Sequence, residues 1–271
     1  MNFYKELELI LQSRSPQEKI EKFNDFYTAY KAGKVVFEPT FQAKKFAKPS
    51  YSTICKIVAP QDVPKRTNLT TKEGQINLLH AIAHIEYSAI DLALDGAYRF
   101  THMPKQYYDD WLEVAEDEIR HFLLLEALLH ELGASYGSVA VHNALFEASQ
   151  RTQTLVERMA VVPRYLEANG LDATPMIVQK IEKMPKNSML EKIRDTLHVI
   201  LEEEVSHVKK GDIWFAYACE KEGLSKDVYF EIIQKYYPQG FLRPKTLNIA
   251  ARKEAGFTCK ELNFMAKQTI C

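Results

Sequence analysis

Two segments of the chain carry a glutamate and a histidine three residues apart, Glu118-Ile119-Arg120-His121 and Glu204-Val205-Ser206-His207. In a helix, residues at that spacing share a face, so each pair can offer a carboxylate and an imidazole to one metal ion. A single Glu-x-x-His is a common accident of a surface helix. Two of them, each in a long helical pattern, carry far more weight. Two further carboxylates stand alone in apolar neighbourhoods: Glu86 is the only acid between Glu73 and Asp91, and Glu157 the only one between Glu147 and Glu167. One Glu from each of two helices and a Glu-x-x-His from each of the other two is the ligand set of a carboxylate-bridged dinuclear centre.

Four carboxylates and two imidazoles supply hard oxygen and borderline nitrogen donors, a set suited to two iron ions, with Fe/Mn or Mn/Mn as variants. Zinc usually takes fewer ligands, more often with sulfur. On this reading Glu86, Glu118 and His121 hold one metal and Glu157, Glu204 and His207 the other. Glu118 and Glu204 bridge, forming the catalytic carboxylate pair. The bland reading starts from Glu202-Glu203-Glu204, since a run of three acids is usually a solvated helix face. His80 and His84, on another stripe with Tyr87 and Asp91, read as hydrogen-bonded core or outer support for the ligands. Trp111, Trp214 and Cys219 read as core wall.

Long segments with apolar residues at three- and four-residue spacing dominate and strand signals are scarce, so the expected fold is all-α. Helix A opens at Thr70-Thr71-Lys72-Glu73, where Thr70 and Glu73 have capping-box spacing, and runs to about Tyr98. Helix B runs from just after Pro104 to Leu132, with Gly133 as its stop. Helix C covers Ala140 to Ala168, is kinked at Pro163 and ends at Asn169-Gly170; helix D runs from Ser188 to Glu222 and stops at Gly223. A short helix is expected between C and D, around Pro175 to Lys183.

Residues equidistant from a turn between antiparallel helices lie at one height. Glu86 and Glu118 each stand 15 residues from the turn at Thr101 to Met103, roughly 22 Å along their helices, and so meet. Glu157 lies 12 residues before Asn169 and Glu204 lies 16 after Ser188, a mismatch of about 6 Å left to the kink.

Before this core come helices at Asn2 to Gln12 and from Ser15-Pro16 to Gly33, then an irregular stretch, Lys34 to Asn68, long enough to wrap a surface. After it come a helix from Ser225 to about Tyr237-Pro238 and a last one from about Thr258. The division expected is 1–68, 69–223 and 224–271.

The 271 residues hold 35 basic and 36 acidic side chains, which gives no bulk electrostatic case for a nucleic acid or membrane surface as partner. No apolar run approaches the roughly 20 residues of a membrane span. Met1-Asn2-Phe3-Tyr4-Lys5-Glu6 lacks a basic region followed by an apolar core, so no secretory leader is expected. Cys55, Cys219, Cys259 and Cys271 are widely spaced and read as thiols of a cytoplasmic protein.

Several longer motifs carry a resemblance: His80-Ala-Ile-Ala-His84-Ile-Glu86, Arg158-Met-Ala-Val-Val-Pro163-Arg with Leu166-Glu167, Gly170-Leu-Asp-Ala-Thr-Pro175, Glu204-Val-Ser-His207, and Asn248-Ile-Ala-Ala-Arg252-Lys-Glu-Ala-Gly256-Phe257. From about Asp62 to Thr258 the chain resembles the ferritin-like proteins grouped as domain of unknown function 455. The resemblance implies a ferritin-like four-helix bundle, here with additional N- and C-terminal helices, around a dinuclear metal centre. The family tends to have Asp-Glu where this chain has Glu203-Glu204, which leaves the ligand in place. A looser likeness to diiron tRNA hydroxylases implies hydroxylation as a reaction class, and a nucleic-acid partner only by that analogy.

The function expected is a diiron oxidoreductase using dioxygen on an unknown substrate, with hydroxylase or monooxygenase as the candidate reaction class. No Gly-rich nucleotide-binding turn is present, so a separate electron donor is implied. The alternatives are a ferroxidase or metal-handling protein, and a non-catalytic helical module whose Arg243-Pro-Lys245 and Arg252-Lys253 contact an anionic partner.

Overall fold

Glycines in the left-handed region end three helices where the sequence places a stop: Gly33 (φ 70°), Gly133 (φ 68°) and Gly223 (φ 66°). In the computed structural model, which describes all residues Met1–Cys271, the chain forms eleven α-helices and no strand beyond two isolated bridges. It divides into two compact units, Met1–Glu147 and Ala148–Cys271, so that the four long helices of the expected core are shared two and two.

The first unit is built on a hairpin of α3 (Lys72–Arg99) and α4 (Lys105–Glu131), the most extensive helix pairing in the chain. The cap of α3 is Thr71, one residue later than the capping-box spacing suggests, and its hydroxyl accepts from the Gly74 backbone N–H. Glycine is required there because a Cβ would stand 1.7 Å from the Asn68 carbonyl oxygen, so the chain enters the helix too closely for any side chain. At the far end the Tyr107 hydroxyl donates to the Gly96 carbonyl at 3.1 Å and closes the turn.

The N-terminal helices α1 (Phe3–Leu11) and α2 (Pro16–Lys31) dock on this hairpin. Phe3 sits in a cluster of rings with Tyr4, Phe26, Phe37 and Tyr108. The fully buried Lys19 ion-pairs with Asp91, whose other oxygen accepts from Ser50 at 2.6 Å. The segment from Lys34 to Asn68 does wrap: Phe41 stacks on Tyr4, Lys44 N–H donates to the Tyr98 hydroxyl, and Ile57 bridges to Val141.

His80 and His84 take the supporting role. His80 Nε2 accepts from Gly137 N–H at 2.9 Å, so this ring is neutral with its proton on Nδ1. His84 lies between the His142 carbonyl, which must accept from Nε2–H, and the Tyr136 hydroxyl, which donates to Nδ1, each at 2.9 Å. Burial pushes both imidazoles down to about 4.

The second unit is organised on α8 (Ser188–Glu222). Against it lies a run that differs from the expected helix C. The turn after α5 (Ala144–Arg151) breaks that helix, and a new one, α6 (Leu155–Val161), starts at a Thr154/Glu157 capping box. At Pro163 the run widens into a π-helical segment, Val162–Glu167, whose looser turns absorb the missing proline N–H, rather than simply kinking. It then continues as α7 (Ala168–Glu182) straight through Asn169-Gly170, because Gly170 does not enter the left-handed region and nothing turns the chain there. The expected short helix at Pro175 to Lys183 is the end of this run.

Pro163 packs so closely on Gly211 of α8 that a Cβ at Gly211 would lie 2.2 Å from the Pro163 Cβ. This contact fixes the register of the antiparallel pair. The helices α9 (Val228–Tyr236), α10 (Ile249–Glu254) and α11 (Cys259–Ala266) complete the unit. Cys259 and Cys271 are joined in a disulfide, which corrects the reading of all four cysteines as thiols; Cys55 and Cys219 are free and buried. Spacing could not show the pair, because the α11 turn and the return of the tail bring together residues 12 apart.

Two measurements test this architecture. Gly211→Ala is expected to lower the unfolding free energy in urea by about 1–3 kcal/mol through overpacking on Pro163, and an unchanged midpoint contradicts the register. The neutral histidines make stability depend on pH. Above about 6.5 neither state protonates them and their contribution is complete; as pH falls toward 4 the unfolded chain binds protons that the folded one refuses. The expected loss is roughly 3 kcal/mol per histidine across that window, read from urea midpoints. A slope undiminished in His84→Gln contradicts it.

Candidate metal centre

Because the α3/α4 turn occupies Phe100 to Pro104, as the level argument requires, Glu86 and Glu118 face each other across the hairpin. Glu86 is 5 % exposed, Glu118 1 % and His121 fully buried. His121 Nδ1 lies 3.3 Å from a Glu86 oxygen and 3.6 Å from a Glu118 oxygen. One ligand atom from each of the three falls within 4.8 Å of the others. Ala83, Ile90, Ala115 and Phe122, one turn away on the same helices, are buried and keep water from this seam.

The electrostatics are those of a site with one anion too many. Burial, then the neighbouring Glu118 carboxylate, pushes Glu86 up to about 8. Burial alone would lower His121, but hydrogen bonding and charge from Glu118 and Glu86 carry it up to about 11. The Glu86 oxygen that lies 3.3 Å from His121 Nδ1 is fully buried. Two buried carboxylates share a single imidazole here, and a cation bound among the three donors would balance the remaining charge. The residues therefore fit a divalent ion of the oxygen- and nitrogen-preferring kind.

In the second unit the other Glu-x-x-His has the same local geometry. His207 is fully buried, and its Nδ1 lies 3.5 Å from a Glu204 oxygen whose side chain is largely buried. Of the three successive acids only Glu202 is exposed, so the run is not simply a solvated face.

Glu157 is engaged elsewhere. One oxygen accepts from the backbone N–H groups of Gln153 and Thr154, and the other pairs with Lys235 at 2.6 Å. Partial burial would raise this carboxyl, but the Lys235 ammonium and those N–H groups hold it down to about 2. Stepping outward from the Pro163/Gly211 contact along antiparallel helices brings Glu167 level with His207 and Glu157 level with Tyr217. Glu157 thus sits about 15 Å along the axis from the height of His207. One Glu167 oxygen is buried. The height argument for Glu157 took Asn169 for the end of the helix, and the helix continues through it.

Two of the four basic residues of the tail, Lys245 and Arg252, are taken up by packing, while Arg243 and Lys253 are exposed. Arg252 is 1 % exposed, holds Asp172 through two nitrogens and donates to the Ala168 carbonyl. Lys245 donates to the Asn169 side chain over the Tyr165 ring. Trp111 and Trp214 are buried, as core wall should be.

An all-helical chain with a buried carboxylate and imidazole cluster defines the class. The chain belongs to the family described as Protein of unknown function (DUF455), which it matches over residues 12–263. It is also 36% identical to an "Uncharacterized protein" of Haemophilus influenzae, over 99% of this chain and 96% of that one. No solved structure matches it. No helix is long and apolar enough to cross a membrane.

The choice between the two glutamates is open to direct test. Glu157→Gln is expected to leave metal content unchanged and to shift stability by no more than about 1 kcal/mol, as for a capping and surface ion-pair residue. Glu167→Gln is expected to lower metal content. The reverse pattern in elemental analysis restores Glu157 as ligand.

Proposed function

We propose that the protein is a dinuclear-metal oxidoreductase, diiron or with Fe/Mn or Mn/Mn in its place, that uses dioxygen on a substrate still to be identified. The observation that carries this reading is the buried Glu86, Glu118 and His121 group with its excess of negative charge. Glu86, Glu118 and His121 are assigned to one ion, and Glu204 and His207 with Glu167 to the other. That second assignment rests on the repeated Glu-x-x-His spacing and on the helix register, and joining the two sets into one centre follows the sequence pattern. Glu118 and Glu204 are the assigned bridges and the catalytic pair.

Two such ions supply one-electron redox and Lewis-acid chemistry when bound. The chain's own part is to fix donors and manage protons. His121 presents Nδ1 to both acids, so a proton on that nitrogen and one on Glu86 are what an arriving cation displaces. The buried apolar residues on either side exclude water from the seam. Electrons are assigned to a separate donor protein.

The test is elemental analysis of protein produced with iron and manganese supplied, beside Glu118→Ala and His207→Ala. About two metals per chain are expected, with both variants depleted, and the reduced wild type should consume oxygen. A folded wild-type protein without metal refutes the proposal. A metal load far above two per chain, taken up without substrate turnover, moves the function to iron handling.

A further inference from the structure

The first unit contains a cavity of about 500 Å³ that belongs to neither Glu-x-x-His segment. It lies between α3, the strap from Pro60 to Thr67 and the crossover from Val139 to His142. Its size falls within the roughly 300–1,000 Å³ of small-molecule sites. One wall is apolar, with Ala81, Ile85 and Val139, while Lys65 and Arg66 stand on the strap and no acidic residue lines it. Of its three histidines, His80 and His84 are neutral rings by their hydrogen bonds, and His142 Nδ1 accepts from the Ala144 N–H.

The frame is built rather than incidental. Val58 N–H donates to the Val141 carbonyl at 2.8 Å and Val141 N–H to the Lys56 carbonyl at 3.0 Å, which ties strap to crossover. Gly137, at φ 97° and with Ile54 so near that a Cβ would stand 2.7 Å from its carbonyl oxygen, lets the crossover approach His80. His80 Nε2 accepts from Gly137 and Val139, which leaves the proton on Nδ1. That nitrogen is buried and has no acceptor in the protein. The frame so fixed sets two strap cations, Lys65 and Arg66, beside an apolar wall.

We propose that this cavity binds a small organic oxyanion with an apolar body, its charged end held by Arg66 and Lys65 and its chain laid against Ala81, Ile85 and Val139. His80, fully buried behind this wall, holds the crossover in place and does not touch the ligand. Carboxylate and phosphate headgroups share this chemistry. The site is independent of the metal reading and would stand if that reading failed.

The test is calorimetric titration of the full-length protein with hexanoate and hexyl phosphate, with hexanol and hexylammonium as neutral and cationic controls. One site per chain is expected for at least one anion, weakened as salt rises. Lys65→Glu/Arg66→Glu, at exposed positions, should weaken it at least ten-fold while leaving the circular dichroism spectrum and metal content unchanged. Ala81→Phe, which fills the cavity without changing charge, should abolish it. The better of the two anions identifies the headgroup. No binding of either anion at millimolar concentration overturns the proposal, as does equal binding of hexanol or retention of affinity in both variants.

Discussion

Two carboxylates and an imidazole are held in the dry seam of one helical hairpin, and much of the first unit follows from keeping them there. An ionised carboxylate loses several kcal/mol on leaving water unless it is matched. Glu86 and Glu118 meet that demand only if α3 and α4 stay in register, since a slip of one residue turns one of them by about 100° out of the seam. Thr71 at one end of α3, Gly96 with Tyr107 at the other, and the Lys19–Asp91–Ser50 link along its outer face hold that register. The wrapping segment that looks irregular in sequence is part of this restraint.

The second unit solves the opposite problem, the burial of cations, within its own residues. Arg164 is fully buried; its Nε lies 2.9 Å from Asp212, and another nitrogen donates to Glu261 at 2.7 Å. The rings of Phe215, Tyr229 and Phe257 surround its guanidinium. Arg252 is matched by Asp172. Planar guanidinium groups suit such settings because they pair and stack at once. Their acids and rings come from α7, α8, α9, α11 and the tail, so the C-terminal helices are fastened by charge as well as by apolar contact.

What the sequence reveals and conceals has a physical pattern. The Glu-x-x-His pairs are legible because three-residue spacing is a local property of a helix. Glu86 is legible because its turn with Glu118 is short and real. The helix stops at Gly33, Gly133 and Gly223 are legible because each glycine is required by a positive φ. Asn169-Gly170 has the same composition as those stops but lies inside α7, and only packing against α8 distinguishes it. Glu157 and Glu167 look alike as isolated acids. Their difference rests on a Pro163/Gly211 contact between residues 48 apart, which no local pattern encodes. The disulfide and the shift of the α3 cap to Thr71 depend likewise on where distant backbone arrives.

The π-helical segment has an evolutionary consequence. A wide turn holds one residue more than an α-helical path over the same length, so α6 and the helix after it can keep their relative orientation whether or not the extra residue is present. The segment also carries Pro163 and Arg164, one setting the distance to α8 and the other the anchor for the tail. The run can therefore change in length by a residue more readily than it can lose either of these side chains. Descendants of this sequence should keep Pro163 and Arg164 even where the turn that carries them has narrowed to a regular helix.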